Sequence, residues 1–227
     1  MEDGTAKNNQ DEQTLWLLGC GPGIGMSVAS RFAIEGFSLG LITLDAAQIN
    51  FGIQELRNSG VNIELGEGDI LDDEWLIGCL QNFEQKIGMP TVLVYNASAG
   101  VSGPASDLNP KDLTSDLYIN LIAPLKAAQF VLPDMRRAKR GTIIFTGGGI
   151  ALKPQVDLAS GSIGKCAIRQ LALLLHSELT PIGIHAAIVT VRGFVRKGGL
   201  LDPDDIAERY WELYMRQPPE WDWEMCV

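Results

Sequence analysis

Seven residues, Gly19-Cys20-Gly21-Pro22-Gly23-Ile24-Gly25, follow directly on an apolar run and open a helical pattern. Glycines at that spacing strip side chains from a turn, so backbone N–H groups at a helix N-terminus can meet the pyrophosphate of a dinucleotide. The plainer alternative is a tight strand-to-helix turn that holds nothing, since glycine loops are common. A strand before, a helix after and repeated strand–helix units downstream favour the ligand. The candidate contacts in this loop are Gly19, Gly23, Ile24 and Gly25.

The elements that must position this loop are readable from hydrophobic period. Apolar runs alternate with helical patterns, the mark of βαβ units and of a doubly wound parallel β-sheet with helices on both faces. Strands are expected at 15–18, 39–44, 62–66, 91–95, 142–146 and 185–191. Helices are expected at 26–35, 48–58, 72–86, 112–135 and 163–179, with Pro124 kinking or breaking the fourth. Residues 1–13 read as a disordered tail and 14–227 as one domain, with a C-terminal extension from about 202. That extension holds a short helix and a Pro-Pro break. Its Trp211, Trp221 and Trp223 must pack on the body or contact a partner chain.

Composition narrows the function classes. A net charge of −10 disfavours nucleic acid and anionic membrane as partners, because both would repel the chain. No apolar run approaches the length of a membrane span. Cys20, Cys79, Cys166 and Cys226 are scattered, with no CxxC pair and no clustered histidines. No metal site and no disulfide framework is expected, only reduced thiols in a cytoplasmic protein. His176 and His185 read as structural. The expected partner is a small-molecule substrate.

Further landmarks follow the glycine loop in order: Gly68-Asp69-Ile70, Tyr95-Asn96-Ala97-Ser98, Asn120 in Tyr-Ile-Asn-Leu, and Lys165. Together with Gly-x-x-x-Gly-Ile-Gly, this series resembles the short-chain dehydrogenase/reductase family from Thr14 to about Phe194. The resemblance implies a Rossmann fold and an NAD(P) cofactor held by Gly19, Gly23, Ile24, Gly25, Asp69, Ile70, Asn96, Ala97 and Lys165. It implies active-site roles for Lys165 and Asn120, and a homodimer or homotetramer. A weaker likeness, carried by Phe145-Thr-Gly-Gly-Gly, Ser162-Ile-Gly-Lys165 and Ile206-Ala-Glu-Arg-Tyr-Trp, is to a bacterial branch of the same family. At the end of the second strand the acidic position falls on Thr43 and the basic one on Leu44, with Asp45 just beyond. No arginine or lysine occurs between Phe32 and Leu56. NAD is therefore favoured over NADP, with Asp45 either binding the ribose hydroxyls or capping the next helix.

The proton-transfer half of the pattern is missing. Family members use a tyrosine four residues before the lysine, on one helix face with it, and a serine after strand five. Here those positions fall on Gly161 and Gly148. Two readings compete. In one, hydride transfer on a small carbonyl or alcohol persists with other groups; Ser160, Ser162, Thr146 and Arg192 are available, and Ser162 is placed beside Lys165 and Asn120. In the other, the scaffold does non-redox work as an isomerase, lyase, cyclase or cofactor-binding pseudoenzyme.

Overall fold

The structure, a computed structural model, describes residues 13–227. Residues 1–12 of the expected tail lie outside the described residues. Gln13, its last residue, is already engaged: its carbonyl accepts from Ser38 N at 2.9 Å.

Seven strands form one parallel sheet among the described residues: β1 Thr14–Leu18, β2 Ser38–Thr43, β3 Ile63–Glu67, β4 Val92–Tyr95, β5 Gly141–Gly148, β6 Ile184–Val191 and β7 Glu224–Cys226. Their spatial order is β3-β2-β1-β4-β5-β6-β7, so the direction of winding reverses between β1 and β4. The helices are α1 Ile24–Ile34, α2 Asn50–Asn58, α3 Asp73–Ile87, α4 Pro110–Leu117, α5 Ala123–Ala138, α6 Ala159–Leu179 and α7 Pro203–Met215. The pleat sorts the core into two halves. Trp16 and Leu18 of β1 face α3, α5 and α6, while Leu15 and Leu17 face α1, α2 and α7. The doubly wound sheet with helices on both faces is thus as expected.

Element ends follow local chemistry. Asp72 caps α3 by accepting from Trp75 N at 3.0 Å, and Asn109 caps α4 ahead of Pro110 at 2.9 Å. Asp202 caps α7, placing Asp204 and Asp205 in its first turn, where carboxylates suit the helix dipole.

Three expectations are corrected. The long helix at 112–135 is two helices joined by one π-helical turn, Tyr118–Ile122. Pro124 stands in the first turn of α5; an unbroken α-helix would drive its ring into the Asn120 carbonyl, and the wider turn avoids that. Helix α6 begins at Ala159, four residues before the apolar period starts, so Gly161 is already helical. The C-terminal region adds a strand that the sequence pattern hid, because β7 is only three residues long.

The tryptophans of this region pack on the body. Trp211 lies edge-on to Phe32, with ring centroids 5.2 Å apart, and under Arg31. Trp221 stacks on His185 at 4.9 Å, and Trp223 lies against Arg169. Arg169 of α6 grips Glu224 of β7 through two hydrogen bonds, at 2.8 and 2.5 Å, and Thr190 adds a third at 2.7 Å. Those bonds, the Arg169 pair first, hold the Glu224 carboxyl below its ordinary pKa against the opposing effect of burial. The stabilisation is therefore complete above the ordinary glutamate range and is lost as pH falls through the depressed value. Glu224→Gln is expected to cost about 1–3 kcal/mol at neutral pH and to flatten the acid limb of a Tm-against-pH profile. An unchanged acid limb would show that the pair contributes nothing.

Candidate active site

The glycine loop connects β1 to α1 at the carboxyl edge of the sheet. Gly19 has φ +88°, and a Cβ on it would stand 2.2 Å from Ala97 N, so the crossing of the β1 and β4 ends requires a glycine. Gly25 meets the same demand inside the first turn of α1, where a Cβ would stand 2.8 Å from Cys20 Cα. Gly23 is the residue before α1; no side chain caps that helix, and its first turn carries no acid. An uncapped helix N-terminus with bare backbone around it suits a pyrophosphate. Ile24 begins the helix. Cys20 is buried in this loop, and burial pushes its thiol up to about 12, so it is not a nucleophile at neutral pH.

A cleft of about 400 Å³ runs from this loop across the ends of β2, β1 and β4. It brings together Gly19, Asp45, Asp69, Ile70, Asn96 and Ala97 of the expected cofactor contacts. Asp45 accepts from Ala47 N at 3.0 Å and from Gln48 Nε2 at 2.9 Å, so the capping role is real, and its carboxylate still borders the cleft. Asp69 accepts from Leu71 N at 2.9 Å, turning the chain so that Ile70 forms the cleft wall. Neither lysine nor arginine borders the cleft.

Asn96 locks the edge. Its amide donates to Gly19 O at 2.8 Å, and its carbonyl oxygen accepts from Thr146 Oγ1 at 2.8 Å. Thr146 Oγ1 in turn lies 2.6 Å from Tyr210 Oη, which, with the Thr146 proton committed to Asn96, is the donor. Burial pushes the Tyr210 phenol far up, so it stays protonated. This directed chain ties α7 through β5 and β4 to the first glycine. Tyr210 is a residue that sequence reasoning missed, because nothing local links it to Thr146, 64 positions away.

Lys165, on the second turn of α6, donates to Thr146 O at 2.9 Å, and burial pulls its ammonium down to about 8. It lies beside Gly148, whose added Cβ would stand 3.4 Å from Lys165 Cγ. Asn120 is buried in the π turn. Its amide donates to Ala99 O at 2.6 Å and Asp116 O at 2.8 Å, while its oxygen accepts from Ser98 Oγ at 3.1 Å and, at 3.3 Å, from Ala99 N. Asn120 thus fastens the loop after β4 to α4, not Lys165 directly. Ser162 is not brought to the cleft: its hydroxyl accepts from Gln155 N at 3.3 Å and borders a separate apolar recess with Val156, Ile163 and Cys166. Ser160 is buried against the Asp116 carboxylate. Among the described residues no cluster fits a metal ion, and no helix is long and apolar enough to cross a membrane.

Comparison with known proteins agrees with this layout. The family described as short chain dehydrogenase matches residues 13–196. A very-long-chain 3-oxoacyl-CoA reductase of Coccidioides immitis (strain RS) is 27% identical over 183 residues, covering 77% of this chain and 52% of the relative. The 17-beta-hydroxysteroid dehydrogenase type 1 of Homo sapiens is 26% identical over 188 residues, covering 76% and 54%. The chain spans about half the length of these curated relatives. A metagenomic short-chain oxidoreductase, crystallised in complex with NADP, superposes with a TM-score of 0.84 at 26% identity, covering 95% of this chain and 96% of that one.

Proposed function

This chain belongs to the short-chain dehydrogenase family, and from that premise we propose that it is an NAD(P)-dependent oxidoreductase with an atypical catalytic set, acting on a small carbonyl or alcohol. One observation carries the cofactor half: a glycine-lined, uncapped helix N-terminus opens on a cleft whose far end presents Asp45 and no cation. Gly19 and Gly25 let the loop close on Ala97 and Cys20, Gly21 and Gly23 leave open the space that a pyrophosphate needs, and Asp69, Ile70, Asn96 and Ala97 form the walls. The dinucleotide, when bound, supplies or accepts the hydride. Lys165 would hold the nicotinamide ribose, and its lowered pKa supports a part in proton sharing near neutrality. Asn120 positions the loop after β4, and Ser162 is left with a structural part.

The same cleft supports NAD over NADP, because a 2′-phosphate would lie near the Asp45 carboxylate with no positive partner. Calorimetric titration should show NADH binding about tenfold or more tighter than NADPH, a difference of roughly 1.4 kcal/mol. Leu44 is 73% exposed at the position where the family's NADP binders carry a base, so Leu44→Arg should narrow or invert that ratio. Tighter NADPH binding by the parent would overturn the preference, and binding of neither would overturn the cofactor reading.

The two glycines at 148 and 161 favour a second reading, a non-redox enzyme or a cofactor-binding pseudoenzyme on the same scaffold. Assembly as a homodimer or homotetramer through the long helices fits the exposed Ile163 and Leu174 on α6.

A further inference from the structure

The π turn ahead of α5 leaves one main-chain bond unmade. Ala123 N donates to Tyr118 O, five residues back. The next donor in that register would be residue 124, reaching Ile119 O, but Pro124 has no N–H. With Ala123 N committed to Tyr118 O, no main-chain donor of the helix serves the Ile119 carbonyl. A carbonyl facing the protein interior without a partner is costly. Tyr95 supplies the donor. It ends β4 with no exposure to solvent, and its hydroxyl donates to Ile119 O at 2.6 Å. Burial pushes the phenol's pKa far up, so the proton stays on the hydroxyl.

What this bond holds lies on the site. Ile119 borders the cleft together with Ala97 and Ser98. Asn120, the next residue, accepts from Ala99 N at 3.3 Å and donates to Ala99 O at 2.6 Å. A Cβ on Gly164 would stand 2.6 Å from Asn120 Nδ2, so α6 rests on this side chain one residue before Lys165. Without the Tyr95 hydroxyl, Ile119 O regains a donor only by moving, toward Ala123 N in the α register or toward water. Either movement takes Ile119 from its place in the cleft wall and loosens Asn120 from Ala99 and α6.

We propose that Tyr95 is a positioning residue of the site: its hydroxyl stands in for the N–H that Pro124 lacks and so fixes Ile119 and Asn120 at the cleft. Proline opens the π turn, and tyrosine completes the bond that proline leaves unmade. The use to which the turn is put rests on the site reading above, whereas the exchange of one donor for another needs no cofactor.

The test uses the full chain with Tyr95→Phe, which deletes one hydroxyl, Pro124→Ala, which restores one N–H, and the double variant. Hydrogen exchange of the Ala99 amide and of those at 119–123 is read relative to the amides of β1 and β2. Tyr95→Phe should speed it by about tenfold or more, because the carbonyl loses its donor. With alanine at 124 the main chain serves Ile119 O, from residue 124 in the π register or residue 123 in the α register. There the same change should cost about threefold or less. Calorimetric titration with NADH gives the second readout: Tyr95→Phe should bind about fivefold or more weakly than the parent. Glu224→Gln, which loosens β7 outside the cleft lining, should bind as the parent does. Unchanged exchange in Tyr95→Phe, an acceleration as large with alanine at 124, or NADH affinity equal to the parent's overturns the proposal. If Tyr95→Phe does not fold, a folded double variant upholds the proposal and an unfolded one overturns it. A parent that binds no NADH overturns the cofactor reading instead, and the exchange comparison still decides the part played by Tyr95.

Discussion

Replacing Gly19 with alanine is expected to abolish dinucleotide binding and to lower Tm by on the order of 5–10 °C. The physical reason is double. At φ +88° an L side chain is disfavoured, and its Cβ would stand 2.2 Å from Ala97 N and 2.5 Å from Ala97 Cα, backbone atoms that cannot step aside. The left-handed conformation costs about 1–2 kcal/mol and overpacking a further ~1–3 kcal/mol. For a chain of this length each kcal/mol is worth roughly 2–4 °C. Binding suffers more, because the loop must shift away from Asn96, which holds Gly19 O at 2.8 Å. Loss of two charge-assisted backbone bonds to a pyrophosphate, at about 1.5 kcal/mol or more each, is at least a hundredfold in affinity. Gly78→Ala, on α3 and outside the cleft, is the control, since nothing lies within 4 Å of its added Cβ. Differential scanning fluorimetry and calorimetry with NADH decide the matter. If Gly19→Ala binds NADH as Gly78→Ala and the parent do, the glycine loop is a turn and not a cradle.

The second large effect concerns the proposed loss of the usual acid. Restoring a tyrosine at 161 and a serine at 148 is expected to raise carbonyl reduction by about 10²–10⁴-fold, the usual contribution of a positioned general acid. Both sites have room at Cβ: the nearest atom is Ile150 Cδ1 at 3.4 Å for Gly161 and Lys165 Cγ at 3.4 Å for Gly148. A phenol four residues before Lys165 would lie on its helix face, where that ammonium lowers the phenol's pKa. Single-turnover loss of reduced-nicotinamide absorbance, over a panel of charged and neutral carbonyls, provides the measurement. A gain from a near-silent parent means that the scaffold has lost an acid it could still use. An active parent with no gain means that Lys165 or another present group already supplies the proton. A silent parent with a silent, folded and NADH-binding variant favours the non-redox reading.

Most of the architecture is legible in the amino-acid sequence itself. Six of the seven strands and the glycine loop follow from a period of two or a continuous apolar run, interrupted by residues that favour turns. Those signals are local, because a buried parallel strand must be apolar along its own few residues. The positions of Gly148 and Gly161 relative to Lys165 were equally readable, being matters of spacing alone. What escaped was short or non-local. Three residues of β7 are too few to show a period, and the π turn at Tyr118–Ile122 reflects a clash between Pro124 and a carbonyl one turn earlier.

The site divides in the same way. Residue order alone indicated where a dinucleotide could lie and that a glycine stands four residues before Lys165, since each is a property of one strand–loop–helix. Folding settled which polar groups share a space. Ser162, adjacent to Gly161 in sequence, faces Gln155 and an apolar recess, while Tyr210, distant in sequence, reaches Thr146 and through it Asn96 and Gly19. Period and motif describe a backbone's local course. Hydrogen bonds between residues 50 and 64 positions apart arise only when helices and strands close on one another, and no local signal carries them.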